Sequence, residues 1–457
     1  MDTVLFPARA DDVLSLVQDF TFKLTADDIP EDVLKTAWML LLDTLGICIS
    51  ATPMEAGVLA REMAVRLYNT AQAEDRATMV FDGRTASIAG AAFAAATQTD
   101  NLDGHDGYNP TKGHIGVVVV PTLIAMAEHL PQLSGRDALA ALIVGYEVAG
   151  RAGIALHATT SDYHTSGAWN GLGVAALAAR LRNSTPEQLR EAWGIAEYHG
   201  PRSQMMREIA NPTMLHDGSG MGALIGVSAI VMAEAGFTGA PAITVEAPEV
   251  ARHWTDLGTF WQTSHQYIKP YPICRWAHAS IDGAREICLA QGVTHDQVAR
   301  VEIRSFHNAV QLFPTMPDST SKAQYSLPFA VATMITHGRI GLEHISGSGL
   351  EDAVVADLVS RTTLIEEARH EARYPVGRWA DVTLHLHDGR VLHSGDTHAR
   401  GGPERPFAKE DIVAKYMEFA VPVLGEARSI AIRDAILGLG AADAKFSDVM
   451  QHLFAAP

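Results

Sequence analysis

Ser134-Gly-Arg-Asp-Ala-Leu-Ala-Ala-Leu-Ile-Val-Gly-Tyr-Glu-Val-Ala-Gly-Arg151 decides the fold class. It reads as one long helix, and its neighbours on both sides read the same way. Upstream, Pro30-Glu-Asp precedes Val33 to Asp43, with proline and acidic residues at the helix start, where the macrodipole favours them. Downstream, Thr185 caps a helix that has Pro186 in its first position and Glu187-Gln188 close behind. The Ala-rich stretches Ala86 to Ala96 and Gly171 to Leu181 are helices whose small faces permit close packing. Strand and helix do not alternate here, which argues against a doubly wound sheet.

The pattern changes after about Thr263. Gln297-Val-Ala-Arg-Val-Glu-Ile-Arg-Ser-Phe306 alternates apolar and polar residues, as a half-buried strand does. Asp381 to Ser394 reads as a hairpin turning on Asp388-Gly389. Ser326 to His337 and Leu350 to Leu358 read as helices between them, and the tail from Phe407 is helical again. At 457 residues the chain is longer than one core usually supports. The expected fold is mainly α: a large all-helical domain (residues 1–266 and 404–457) and a smaller α+β lid domain (267–403).

Composition excludes several functions. A formal charge of −18 opposes a nucleic-acid partner, which calls for a clustered basic surface, so an anionic substrate must be caught by local cations. Three cysteines, Cys48, Cys274 and Cys288, cannot form a disulfide framework and fit a reducing compartment. Met1 to Phe6 lacks a basic leader, Asp11-Asp12 follow soon after, and the uncharged run Gly218 to Ala233 is shorter than the ~20 apolar residues of a membrane span. The expectation is a cytoplasmic protein without a membrane or nucleic-acid partner.

Two clusters carry chemistry. In Lys269-Pro-Tyr-Pro-Ile-Cys274-Arg275-Trp-Ala-His278 two prolines hold an extended arm, and a helix is expected to follow. Spacings of i,i+4 and i,i+3 let Cys274, Arg275 and His278 face one way beside the Lys269 ammonium, a set suited to gripping a carboxylate while moving a proton. The second cluster is the loop Asp100-Asn-Leu-Asp103-Gly-His105-Asp106-Gly-Tyr-Asn-Pro-Thr-Lys112-Gly-His114-Ile-Gly116, lying between two apolar helices. Burying such a loop is costly unless its charges are satisfied, so Asp103 and His105 read as site residues. Lys112 is either a carboxylate ligand or a solvated lysine.

These two motifs together resemble the MmgE/PrpD family, which includes 2-methylcitrate dehydratases, cis-aconitate decarboxylases and iminodisuccinate epimerases. Leu41-Leu-Asp-Thr-Leu-Gly46, Tyr325-Ser-Leu-Pro-Phe-Ala-Val-Ala332 and Arg405-Pro-Phe-Ala-Lys-Glu-Asp-Ile-Val-Ala-Lys-Tyr416 match it too, in family order across nearly the whole chain. The resemblance implies that the tail packs back on the first domain and that the protein is a homodimer. It also implies cofactor-independent proton abstraction next to a carboxylate, with a substrate-adjacent His114, His164 as base and Lys269 as carboxylate ligand. The apolar helices Gly171 to Leu181 and Gly220 to Ala233 also suggest a partner surface.

There are departures from the family pattern. Asn101-Leu-Asp103-Gly-His105 replaces the acidic motif Asp-x-Asp-Asp-Thr, Thr213 stands where a Lys usually precedes His216, and Phe329 replaces a Tyr, leaving Tyr325 as the phenol. Thr213 and Phe329 point away from a specialist for cis-aconitate or 2-methylcitrate. Gly218-Ser-Gly220-Met-Gly222 follows no strand, so it reads as close packing and not as a nucleotide loop. A rival metal site from His105, His114, His164, His385 or His387 with Asp103 lacks recognised ligand spacing, so no metal and no cofactor are expected. The resulting expectation is a lyase of the hydratase/dehydratase type acting on a small di- or tricarboxylic acid. An epimerase, isomerase or decarboxylase is the alternative, and a non-catalytic carboxylate-binding protein the third.

Overall fold

Capping and small-residue packing organise the helices of the computed structural model, which describes residues 13–457; the reading of Met1 to Phe6 and Asp11-Asp12 lies outside them. Ser134 Oγ accepts the Asp137 N–H at the start of the Gly135–Thr159 helix, and Thr185 and Gln188 form a reciprocal capping box on Pro186–His199. Gly135–Thr159 packs on Asn170–Arg182, which packs in turn on Ser219–Glu234. The approach is close because it uses glycine: a Cβ on Gly173 would lie 2.3 Å from the Gly145 carbonyl oxygen and 2.6 Å from Ala149 Cβ. The C-terminal Lys409–Leu424 helix lies along Glu31–Ser50.

Glu31–Ser50 and Gly135–Thr159 are long and apolar enough to cross a membrane, but 83% and 94% of their most apolar windows are buried, as in core helices. The Asn170–Arg182 helix is apolar nearly all round because its neighbours in the same chain bury it from Asn170 to Ala179. Its composition therefore needs no partner subunit, contrary to the sequence reading. The helical part also contains a two-stranded antiparallel hairpin, β1 (Arg76–Thr78) and β2 (Thr85–Ser87). Its turn signal, Asp82-Gly83 with Gly83 at φ +83°, is short and corrects the all-helical expectation.

The larger sheet has the order β4-β3-β5-β6, with β3 (Val298–Ser305), β4 (Thr362–Glu366), β5 (Trp379–Leu386) and β6 (Val391–His393); β7 (Thr397–His398) pairs with β5. Only β3 and β4 run parallel. The β5–β6 hairpin turns at Asp388-Gly389, with Gly389 at φ +91°. Helix His278–Gln291 packs against β5.

Buried apolar residues form two large clusters. One draws on residues 13–268 and 412–453; the other draws mainly on residues 271–386 and reaches into the helical part at Ile47, Ala51, Leu102, Met205, Ile209 and Phe419. The loop Asn101–Ile115 and the Lys269 arm meet where these clusters touch.

Candidate active site

The loop is held from below by buried charges. Lys415 of the Lys409–Leu424 helix donates to Asp43 and to the Gly104 carbonyl. Asp106 accepts from Thr44 Oγ at 3.1 Å and from the Gly116 N–H at 3.3 Å. Burial, with Asp43 nearby, pushes the Asp106 carboxyl up to about 7. Asp103 and Lys112 take left-handed backbone conformations, φ +52° and +53°, without being glycine. Such positions persist where surrounding contacts fix them.

The loop and the arm are stitched together by backbone pairing. Gly107 and Tyr267 exchange two hydrogen bonds at 2.9 and 2.8 Å, and Gln324 bridges from the Cys274 N–H (2.8 Å) to the Asn101 carbonyl (2.8 Å). Lys269 is 1% exposed and pairs with Asp103, donating to its carboxylate and, at 3.0 Å, to its carbonyl. Burial presses Lys269 down, but Asp103 and Tyr267 outweigh it and the ammonium is held above its ordinary range. The proton therefore stays on nitrogen, although burial also raises Asp103.

His114 is the best-positioned base. Its Nδ1 lies 2.8 Å from the Asp106 carbonyl oxygen, and a carbonyl only accepts, so Nδ1 carries the hydrogen and Nε2 keeps a lone pair. Burial, with Lys269 in support, lowers His114 to about 3, so the imidazole is neutral at pH 7. Asp217 Oδ2 lies 3.5 Å from Nε2, while its Oδ1 accepts from Ser166 Oγ at 2.7 Å. Burial raises Asp217 against the pull of Ser166 and Lys269.

One cavity brings these groups together. The helical part contributes Asp103, Lys112, His114, Tyr163, Met205, Ile209 and Asp217; the sheet-bearing part contributes Lys269, Cys274, Arg275, Trp276, Tyr325 and Arg378, with Tyr267 where they meet. Only about 30 Å³ is open to the centre of a water-sized sphere, room for about one or two waters. The cleft lined by Pro53, Met54, Met214, Asp318 and Leu350 offers about 540 Å³ on the same measure. As it stands, the smaller cavity has no room for a di- or tricarboxylic acid. The smaller cavity is the candidate site despite its size, because His114 and the buried cations converge on it.

Seven residues singled out from the sequence thus line the cavity: Asp103, Lys112, His114, Lys269, Cys274, Arg275 and Tyr325. Burial pushes the Cys274 thiol up to about 12, so it is not a thiolate. Tyr325 is raised well above a usual phenol by burial and Asp103. Three do not line it. His105 is fully buried behind His114, ring centres 4.5 Å apart, and burial holds it neutral. His164 bonds through Nδ1 to the Asp162 carbonyl at 2.9 Å and its backbone pairs with Gln204; its neighbour Tyr163 reaches the cavity instead.

His278 was expected on one helical face with Cys274 and Arg275. The segment instead opens as a 3₁₀ turn, Arg275–Ala277, and the α-helix starts at His278. The change of pitch turns the imidazole toward the Ile273 carbonyl (2.8 Å) and the Tyr271 ring.

Asp217, Tyr163, Tyr267 and Arg378 escaped the sequence reading. The first three each adjoin or lie close to a residue that was singled out, whereas Arg378 belongs to no motif. Thr213 is exposed and bonded to Glu208, and Phe329 is wholly buried. Of the histidines considered for a metal, His105 and His114 are neighbours, whereas His385 lies apart, paired with Glu302 and Arg300 on the sheet. Among the described residues His370, Asp381 and Asp396 converge in a metal-like way, but Arg369 already pairs with both acids and Arg373 with Asp396.

Comparison with known proteins decides the family. The model of the MmgE/PrpD N-terminal domain matches residues 17–291, and that of the C-terminal domain matches residues 271–439. The chain belongs to the MmgE/PrpD family. Among MmgE/PrpD relatives, cis-aconitate decarboxylase of Aspergillus terreus is 25% identical over 474 residues, covering 93% of each chain. Cis-aconitate decarboxylase of Homo sapiens is 23% identical over 433 residues, covering 88% of this chain and 86% of its own. The MmgE/PrpD motifs quoted from the sequence, the loop and the proline-braced arm, are the two segments that meet at the cavity.

Proposed function

We propose that this chain is a cofactor-independent lyase that takes a small di- or tricarboxylic acid and works by proton transfer at a carbon next to a carboxylate. The observation that carries the reading is neutral His114, whose Nε2 keeps its lone pair beside Asp217, in the same cavity as the Lys269 ammonium. His114 Nε2 accepts the proton from carbon and the carbanion's charge passes onto the adjacent carboxylate as an enolate. Lys269 stabilises that charge, and Asp217 stabilises the imidazolium as it forms. The imidazolium then returns its proton, to a departing hydroxyl in water loss or to carbon. The names of the relatives support a lyase that acts on a polycarboxylic acid.

The expected homodimer remains part of this proposal, now on different ground. Met206, Met214, Leu215 and Met221 are each at least 38% exposed within one short stretch of chain, an apolar surface suited to a second copy.

The test is incubation with a panel of di- and tricarboxylic acids in deuterated water, read by mass spectrometry. Loss of water or of carbon dioxide identifies the lyase type. Exchange without product would replace the lyase by an epimerase, and silence on every acid would leave a binding protein. His114→Asn should lower turnover by ~10²–10⁴-fold.

A further inference from the structure

The cavity holds four cations, and only Lys269 has a carboxylate partner within it. Arg275 and Arg378, 4% and 1% exposed, donate only to main-chain carbonyls: Arg275 to Arg400 and Ala399, Arg378 to Pro375 and Gly377. The Nε of each is buried with no hydrogen-bond partner. Their guanidinium groups lie over Tyr267 (4.5 Å) and Tyr374 (4.9 Å), and the Lys112 ammonium lies over Tyr163 at 4.3 Å. Asp282, which acts on Arg275 at longer range, is already held by Arg400 and Tyr271. Glu404, also at longer range, is exposed.

The three charges also oppose one another. Arg275 is drawn down to about 10, first by burial, with Arg378 contributing; Lys112 is lowered by burial and then by Arg378. Buried charges are ordinarily paired, because stripping water from an ion costs several kcal/mol. Two buried guanidinium groups without a carboxylate partner, beside the half-buried Lys112 ammonium, are costly until an anion arrives.

We propose that Arg378, with Arg275 and Lys112, forms a second carboxylate subsite in this cavity, so that the substrate carries at least two carboxylates, one on Lys269 and one on this cluster. The inference rests on the carboxylic-acid reading above and assigns the residues that take the second carboxylate. Arg378 presents planar donors suited to a carboxylate fork and makes up for the cation absent at Thr213. A substrate with one carboxylate would leave the cluster unneutralised and bind weakly.

Calorimetric titration of the full chain with succinate and with butyrate, four-carbon acids that differ in one carboxylate, tests it. Wild type should bind succinate at least ~10-fold tighter than butyrate, as one charge-assisted contact implies. Arg378→Gln should lose most of that preference while butyrate affinity stays within about twofold, and Arg378→Lys should restore part of it. Equal loss for both acids, or an unchanged preference in a variant with a native melting curve, overturns the subsite. Should Arg378→Gln fail to fold, Lys112→Gln carries the test, and an unchanged preference there overturns it equally. Selective succinate binding without product from any acid would sink the lyase and leave the subsite standing; loss of water or carbon dioxide from an acid without succinate preference would do the reverse.

Discussion

Replacing Lys269 by Met isolates the buried ion pair at the centre of the site. The substitution keeps the length of the side chain and removes its charge, leaving Asp103, 3% exposed, without its cation. Breaking one side of a buried pair costs about 3–5 kcal/mol at neutral pH. Asp103 can escape part of that cost by taking a proton, since burial already raises its carboxyl. Without Lys269 its folded pKa rises further above the unfolded value of about 3.9. A group raised on folding contributes stability below its unfolded pKa and loses it as pH climbs through the folded pKa. The deficit against wild type should therefore shrink on acidification by up to about 1.4 kcal/mol per pH unit, about 3 kcal/mol between pH 7.5 and 5.5. Adding Asp103→Asn should recover much of the loss at pH 7.5, because no buried charge then remains unpaired. Urea unfolding followed by circular dichroism at both pH values measures all three chains. A deficit under about 1 kcal/mol, or one independent of pH, would refute the buried-pair account.

If neutral His114 is the base, kcat/KM should show no ionisation near 6.5, the usual histidine value, because its protonation falls near pH 3; a clear acid limb centred at 6.5 would assign the base elsewhere. His164→Ala should keep turnover within about tenfold, since the ring lies outside the cavity, and single-turnover rates will tell. Gly116→Ala should abolish activity and lower the melting temperature: its Cβ would fall 2.0 Å from Asp106 Oδ1 and 2.3 Å from the Tyr146 hydroxyl, displacing the residue whose carbonyl orients His114. Dialysis against a strong chelator should leave turnover unchanged; activity lost and then restored by zinc or iron would contradict the acid–base reading.

The sequence by itself determined many of the longer helices, the β5–β6 hairpin on Asp388-Gly389 and the two motif segments that form the site. All rest on local periodicity, caps and turn chemistry, which a chain carries without its tertiary neighbours. Dense charge in a loop and a proline-braced lysine, visible in one dimension, pointed to Asp103, His105 and Lys269, and the family resemblance pointed to His114. Only the tertiary structure decided which histidine faces the cavity. His105, His114 and His164 share a residue type, and what separates them is that the Asp106 carbonyl orients His114, the Asp162 carbonyl holds His164, and His105 is shut in behind His114 and Asp100. His278 moved off the expected face because one 3₁₀ turn changes the angular spacing of its segment. Arg378 was invisible for the opposite reason: it is an ordinary arginine in no motif. Its character comes from being buried beside Arg275 with no carboxylate to neutralise it, a property of the packed molecule and of no residue alone.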